Sequence, residues 1–243
     1  MVNQFPFPLS LAVWGHIVGG ALALLCFTVP LFTKKGGQLH VRWGWMYAGA
    51  MIVVAGSAFL ITPWRYFVDP NGTDKSRDFA FFLFFIALFS LTSLQQGIFV
   101  FRYKKRSGQV LSLGSLGLPV LLVAISVVTL MKGIASQNGL LVVFAALAGR
   151  TAQKQITYWK NPQTHSKDWW FFHLENMFTC CIATVTAFVV TAVPRVFPSV
   201  HFTSIWMWLA PTFILVPWMM WFIRKYKLQF GLMKKKDGAG KRT

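Results

Sequence analysis

The segment WWFFHLENMF, residues 169–178, places His173, Glu175 and Asn176 within about one helical turn of an otherwise apolar run. Glu175 is also the only glutamate in the chain. An imidazole, a carboxylate and an amide can hold a metal ion, carry a proton or bind a polar ligand. Which of these functions is available depends on the elements that position the three side chains.

The composition is typical of a membrane protein. The chain has 243 residues, of which 55% are hydrophobic and 12% are charged, and a soluble domain carries about twice that charge. The apolar residues form blocks of about 20, the length that crosses a hydrocarbon core of about 30 Å. The sequence therefore predicts an all-α fold, a polytopic transmembrane helix bundle that lies in a lipid bilayer.

Seven spans are predicted, and together they make one transmembrane bundle domain over residues 1–223, followed by a basic tail over residues 224–243. The fifth span is apolar only as far as Gly149, so a short or re-entrant element that ends there is the alternative. We expect a full span, because Tyr158 and Trp159 then supply its aromatic belt. The predicted spans cover residues 10–32, 43–62, 79–101, 110–131, 139–159, 169–193 and 204–223.

Basic residues are distributed unequally between the two sides of this bundle. Nineteen of the 24 Lys and Arg residues fall on one side, and the five on the other side are Arg65, Lys75, Arg77, Lys132 and Arg195. By the positive-inside rule, the N-terminus is outside and the C-terminus is cytoplasmic, in an inner or plasma membrane. The net charge of +18 is then explained by basic residues that set the orientation in the membrane and contact anionic lipid. We do not expect the protein to bind nucleic acid.

Polar side chains from several spans fall in the same cytoplasmic third. They predict a polar pocket built from Gln95, Arg150, Gln153, Glu175 and Asn176. Ionisable groups inside a membrane usually pair or line a cavity. We therefore expect Glu175 to form an ion pair with Arg150, the deepest base.

A helical wheel of the sixth span separates its functional groups. His173 and Glu175 are about 160° apart on such a helix, so we do not expect them to bind the same metal ion. The same wheel predicts an apolar face toward lipid. That face consists of Leu174, Phe178, Cys181, Ile182, Val185, Phe188 and Val189.

Three histidines are candidate ligands or proton-relay groups: His16, His40 and His173. His16 lies on a face of small residues, where a hydrogen bond between helices is the plainer role. His40 and His173 fall at similar depth on different spans, which is the arrangement that bis-histidine haem b requires. A second pair, His16 with His201, is weaker because His201 lies in a loop beside prolines.

Three stretches resemble an uncharacterised bacterial family of multi-pass membrane proteins, a domain of unknown function. They are HIVGGALAL (16–24), KKGGQLHVRWGWMYAGAM (34–51) and HLENMF (173–178). The resemblance covers the first quarter of the chain and, loosely, the sixth span. It implies that His16, His40, Arg42, Gly44 and His173 are signature positions, and it implies no activity.

The segment KKGGQLHVR is itself a candidate anion site. Its glycines permit a tight turn, and Lys34, Lys35 and Arg42 could hold a lipid head group or a phosphate. The alternative is that these residues only contribute positive-inside charge.

Three functions stay open from the sequence. The first is transport or binding of a small molecule or ion through a cytoplasm-facing polar pocket, with Glu175 as the proton- or cation-responsive group. The second is a haem- or metal-binding redox protein that uses the histidines, and the third is a structural subunit of a membrane complex. A membrane hydrolase is disfavoured because the spans contain a single acid, and a retinal protein because residues 204–223 contain no lysine. Whether the protein is an enzyme stays undecided.

Overall fold

Eight α-helices make up the computed structural model, which describes residues 5–196 and 205–233. A 3-10 turn, Val100–Tyr103, extends α4, and no strand is found among the described residues. The predicted all-α bundle is confirmed. The helices are α1 Leu9–Cys26, α2 Thr28–Phe32, α3 Gln38–Phe67, α4 Asp74–Phe99, α5 Leu113–Ala135, α6 Gly139–Lys160, α7 Asp168–Val196 and α8 Ile205–Gln229.

Six helical segments within the described residues are long and apolar enough to cross a membrane. The first combines α1 and α2 over Leu9–Phe32, and the others are α3, α4 with its 3-10 turn, α5, α7 as far as Thr191, and α8. Large apolar side chains such as Leu60, Phe213 and Ile214 are exposed on the outside of the bundle, as expected for contact with lipid. The protein is a multi-pass helical membrane protein.

Helix α6 forms almost over the predicted range 139–159, but it is not among the six apolar segments. Its first half, up to Gly149, is apolar, whereas its second half carries Arg150, Lys154 and Gln155. Its 22 residues are about 33 Å long, which is sufficient to span a bilayer. The seventh crossing therefore stays a prediction.

The loops divide between two ends of the bundle. One of them, the basic end, carries segments 33–37, 104–112 and 161–167 and the end of α8. Here the N–H of Val110 donates to the carbonyl of Trp159 at 3.0 Å, which joins α5 to α6. At the opposite end, Lys132 Nζ lies 2.8 Å from Asp78 Oδ1 and joins α5 to α4.

Helix α4 is the centre of the bundle, because it packs against α3, α5 and α7. One core cluster, around Tyr47, Leu94 and Cys180, lies between α1, α3, α4 and α7. A second cluster, around Phe85 and Leu122, lies between α4, α5 and α6. The main partner of α6 is α5, and that of α8 is α7.

The prediction that one side of α7 faces lipid is wrong for most of the turns of this helix. Leu174 and Phe178 are buried against Phe222 of α8, and Cys181 is buried in the first core cluster. Ile182 lines a cavity between helices, whereas Phe188 is exposed as predicted. An apolar face can be covered by lipid or by neighbouring helices, and here α8 covers Leu174 and Phe178 while the first core cluster covers Cys181.

The residues of the predicted basic tail continue α8 without interruption as far as Gln229. The last ten residues, 234–243, lie outside the described residues, as does His201. The boundary between bundle and tail at residue 224 therefore falls inside a helix.

Gly133→Ala is expected to destabilise the α5–α6 pair. A Cβ at position 133 would lie 2.9 Å from the backbone nitrogen of Val142, so the two helices would have to separate. We expect a loss of about 1–3 kcal/mol in unfolding free energy, measured as a lower melting temperature in detergent. The matched control is Gly56→Ala, where nothing lies within 4 Å of the new Cβ and alanine favours the helix by about 1 kcal/mol. Equal melting temperatures for the two variants would contradict the close α5–α6 contact.

Candidate functional site

A cavity of about 790 Å³ lies between α6 on one side and α7 and α8 on the other, with α4 behind it. Its volume is within the range of about 300–1,000 Å³ that small-molecule sites occupy. The wall from α7 presents Thr179, Ala183, Thr186 and Val190, spaced three or four residues apart on one face. Because these side chains are small or short, they leave open the space that larger residues would fill.

The lining changes character along the cavity. Near the basic end it contains Lys154, Gln155, Asp168, Glu175 and Asn176. Farther from that end it is mainly apolar, with Leu83, Ile86, Val190, Trp208 and Val216. The cavity therefore has one polar end and one apolar end.

The ion pair of Glu175 is with Lys154, at 3.9 Å between Oε2 and Nζ. The predicted pair with Arg150 is wrong. Arg150 is exposed, and its Nη1 donates to Gln153 Oε1 at 3.3 Å. Arg150 lines a smaller cavity of about 430 Å³ that shares Lys154 and Asp168 with the large one, so it borders the polar end from outside.

Two amide side chains are buried at the polar end. Gln155 Nε2 donates to Asn176 Oδ1 at 2.7 Å, and Asn176 Nδ2 donates to the carbonyl of Phe172 at 2.8 Å. Gln155 is only 1% exposed, and its Oε1 has no hydrogen-bond partner. Two residues of the cavity lining, Gln155 and Tyr158, thus each have a buried polar atom, Oε1 and the hydroxyl, without a hydrogen-bond partner within the described part of the protein.

The remaining members of the predicted polar pocket are not on the large cavity. Gln95 Nε2 donates to the carbonyl of Gly114 at 2.7 Å and ties α4 to α5. Gln153 is exposed. Only Glu175 and Asn176 of the five predicted residues line the cavity, and they are joined there by Lys154 and Gln155.

Gln155 is the main residue that sequence reasoning missed. The buried positions of α6 include Ala145, Ala148, Ala152, Gln155 and Trp159, which recur every three or four residues. The periodicity of this stripe was available in the sequence, and it places a glutamine on the buried face of α6.

His16 forms hydrogen bonds between helices, which is the plainer role predicted from its small-residue face. Its Nδ1 lies 3.1 Å from the carbonyl of Val54 and 3.0 Å from Ser57 Oγ, so it ties α1 to α3. The side chain also lines the large cavity. It is well separated in the fold from the other two candidate histidines, which lie at the basic end.

His40 and His173 come together, as their similar predicted depth indicates. Their ring centres are 6.5 Å apart. The Nδ1 of His40 lies 3.2 Å from the carbonyl of Pro30, and the Nδ1 of His173 lies 2.8 Å from that of Gly97. Because a carbonyl can only accept, both Nδ1 atoms carry the proton and both Nε2 atoms are left as the basic nitrogens. Many metal-bound histidines are held in the same way, with the ring nitrogen that does not bind the metal donating to a carbonyl.

A conventional zinc site is not assembled from the described residues, since no group of three or more His, Cys, Asp and Glu side chains among them could hold a metal ion. The His40–His173 pair supplies two protein ligands. A haem iron needs no more than two, because the porphyrin provides the other four.

The predicted anion site at KKGGQLHVR is only partly available to an outside ligand. Lys35 Nζ donates to the carbonyls of Pro30 and Leu31 at 2.6 and 2.8 Å, where it caps α2. Burial lowers the pKa of the Lys35 ammonium from its ordinary value. Lys34 and Arg42 are exposed and remain free to meet an anionic head group.

No family model, curated protein or solved structure matches the chain. The resemblance of HIVGGALAL and KKGGQLHVRWGWMYAGAM to an uncharacterised bacterial family stays a prediction. The chemistry of the site is therefore inferred from its own residues.

Single substitutions in the Gln155–Asn176 pair are expected to be more harmful than the double substitution. Asn176→Leu or Gln155→Leu leaves the other buried amide without its partner. Changing both residues to leucine removes both amides, so no hydrogen-bond partner is then needed. We expect a coupling energy of about 0.5–1.5 kcal/mol in a double-mutant cycle, measured by unfolding in detergent. Additive losses would contradict the direct contact between the two amides.

Proposed function

We propose that the protein binds or transports a small molecule through the cavity between α6, α7 and α8, entering or leaving at its polar end. The supporting observation is the cavity itself. It combines a volume suited to a ligand with a charged pair, Lys154 and Glu175, at its polar end. A core that served only to hold the helices together would be filled and its polar groups paired.

In this proposal, Glu175 is the proton- or cation-responsive group and Lys154 is its partner. Protonation of Glu175, or the arrival of a cation, would release the Lys154 ammonium to interact with the ligand. Arg150 has a different role at the border, where it attracts anions toward the smaller cavity.

The cavity-filling variant Ala183→Trp is expected to abolish ligand binding. Small molecules that co-purify with wild-type protein would be extracted and measured by mass spectrometry, relative to the amount of protein. The matched control is Ala124→Trp, at an exposed position of α5 that is not part of the cavity. We expect the control to keep the wild-type ligand and Ala183→Trp to lose it. Equal recovery from the two variants, or none from wild type, would contradict the proposal and favour a structural subunit of a membrane complex.

We further propose that the basic end faces the cytoplasm of a bacterium and that the N-terminus is outside. The support is the concentration of Lys and Arg on this side, together with Lys34 and Arg42 placed to contact anionic lipid. The prediction is that a green fluorescent protein fused after residue 233 is fluorescent in bacterial cells and that alkaline phosphatase at the same point is inactive. Active phosphatase at this position would show that the C-terminus is outside, which is the opposite topology.

The second candidate function is a haem-binding membrane redox protein, and the His40–His173 pair is the observation that favours it. The two residues would bind the iron through their Nε2 atoms, while the carbonyls of Pro30 and Gly97 hold the ring orientations. Haem would supply one-electron chemistry. The residues that line the large cavity do not include this pair, so the two candidate functions are independent.

This second candidate predicts a Soret band in the visible spectrum of protein expressed with haem available. The band should disappear in His40→Ala and in His173→Ala, and it should persist in His165→Ala, whose side chain is on an exposed loop. Colourless wild-type protein would eliminate haem without affecting the proposal for the large cavity.

A further inference from the structure

The smaller cavity lies at the basic end, where the last turns of α6 meet the segments 104–112 and 161–167. Its lining includes three basic residues, Arg106, Arg150 and Lys154, and one acid, Asp168, so the formal charge of the lining is +2. Arg150 and Lys154 are exposed, so an ion reaches them directly from water. This cavity is a candidate anion site in its own right, whether or not the large cavity binds a ligand.

The α6 wall of this cavity is a polar stripe. Its members are Arg150, Lys154, Thr157 and Asn161, which are four, three and four residues apart, the spacing of one helix face. The stripe extends over the last three turns of α6, roughly 16 Å at 1.5 Å per residue. It offers a guanidinium, an ammonium, a hydroxyl and an amide, all of which donate hydrogen bonds. Donors from successive turns of α6 therefore line the same cavity.

The acid in this cavity is occupied by its own loop. Asp168 Oδ2 accepts from the N–H groups of Thr164 and His165 and from the Thr164 hydroxyl, each at 2.9 Å. Among the described residues, Asp168 forms no ion pair. The carboxylate thus holds the 161–167 segment in place, and it does not pair with the basic residues of the cavity.

Two of the basic residues are available to an anion. Arg150 Nη1 donates to the neutral Gln153 side chain at 3.3 Å, and within the described part of the chain Arg150 has no ion pair. Lys154 Nζ lies 3.9 Å from Glu175 Oε2, with the two side chains 60% and 39% exposed. An exposed ion pair of this length contributes little to stability, so an anion can replace Glu175 as the partner of Lys154.

Arg106 adds a third positive charge from a different segment. Its guanidinium lies 4.4 Å from the centre of the Tyr158 ring, and its Nη atoms donate to the carbonyls of Gly108, Tyr158 and Trp159. These carbonyls satisfy the N–H groups of Arg106 and fix its position, but they do not cancel its charge. Arg106 therefore contributes a fixed positive field to the cavity.

A phosphate group matches this combination of charge and donors. Near pH 7 a phosphate monoester has a charge of about −1.5 to −2 and three strong acceptor oxygens. Arginine binds phosphate through two parallel hydrogen bonds, and lysine binds it as a point charge. A carboxylate has only one charge and two oxygens, so it would leave part of the positive charge unpaired.

We infer that the smaller cavity binds a phosphate group, with Arg150 and Lys154 as its charged ligands and with Thr157 and Asn161 as further donors. Arg106 holds no ligand atom in this arrangement and acts through its charge. The phosphate belongs either to a water-soluble molecule or to a lipid head group. The same chemistry serves both, because the cavity is open to water at the end of the bundle where basic residues meet lipid head groups.

The test follows the melting temperature of purified full-length protein in dodecyl maltoside, a detergent without phosphate, because a ligand that binds the folded state raises this temperature. The probes are inorganic phosphate, glycerol 3-phosphate and dioleoyl phosphatidate. The matched controls are chloride at equal ionic strength for the first two and dioleoylglycerol for the third. We expect at least one phosphate probe to raise the melting temperature in a saturable manner, whereas its control does not.

Substitutions on the α6 stripe locate the binding site. Arg150→Gln and Lys154→Gln should each weaken the apparent affinity at least about tenfold, because each removes a charged ligand of the phosphate. Arg102→Gln and Lys160→Gln should change the affinity less than about twofold, since these exposed residues of the same end line neither cavity. Phosphate also stabilises proteins through exclusion from their surface, and that effect would be the same in all four variants.

The probes also identify the source of the phosphate. Tighter binding of phosphatidate than of glycerol 3-phosphate, by about tenfold or more, would indicate a lipid head group, and equal affinities would indicate a water-soluble phosphate. No saturable stabilisation by any of the three probes would overturn the inference. Equal losses in Lys154→Gln and Lys160→Gln would also overturn it, because diffuse positive charge then explains the binding.

A last variant separates this site from the proposed function. Ala183→Trp fills the large cavity and leaves the lining of the smaller one unchanged, so it should keep the wild-type affinity for phosphate. Loss of phosphate binding in Ala183→Trp would place the phosphate in the large cavity and overturn the assignment to the smaller one. Phosphate binding by a protein from which no other ligand is recovered would contradict only the proposal for the large cavity.

Discussion

A hydrogen bond between two amides, from Gln155 to Asn176, joins α6 to α7 at the basic end of the bundle. Beside it, the rings of Tyr158 and Phe172 stack with their centres 3.8 Å apart. Buried amides in a membrane must find partners within the protein, so this contact fixes where the two helices meet. Farther from the basic end α6 contacts mainly α5, and the space beside α7 becomes the cavity. The polar contact therefore determines where the polar end of the site lies and part of its chemistry.

The helices were largely predictable because they depend on local apolar length, and α6 begins at 139 and ends within one residue of the predicted 159. The partner of Glu175 was not predictable with the same certainty. Glu175 is seven residues from the start of α7, Lys154 is six residues from the end of α6, and Arg150 is ten. Lys154 and Arg150 therefore differ in depth by about one helical turn, or about 6 Å. Helix boundaries predicted from sequence are uncertain by about the same distance, so the sequence could not decide between the two bases.

The faces of α7 show a second limit of sequence reasoning. Leu174 and Phe178 were equally compatible with lipid and with another helix, because both environments are apolar. The small residues Thr179, Ala183 and Thr186 were equally compatible with a close helix and with a cavity. Only the positions of α6 and α8 distinguish these cases, and such positions depend on contacts between residues far apart in the chain.

The most direct test of the cavity is an experimental map of the full-length protein in lipid nanodiscs, at a resolution that shows side chains. The account predicts density for a bound molecule between α6 and α8, beside Ala183, with the Lys154–Glu175 pair at its polar end. Direct packing of α6 against α8, with side chains filling the space beside Ala183, would contradict it.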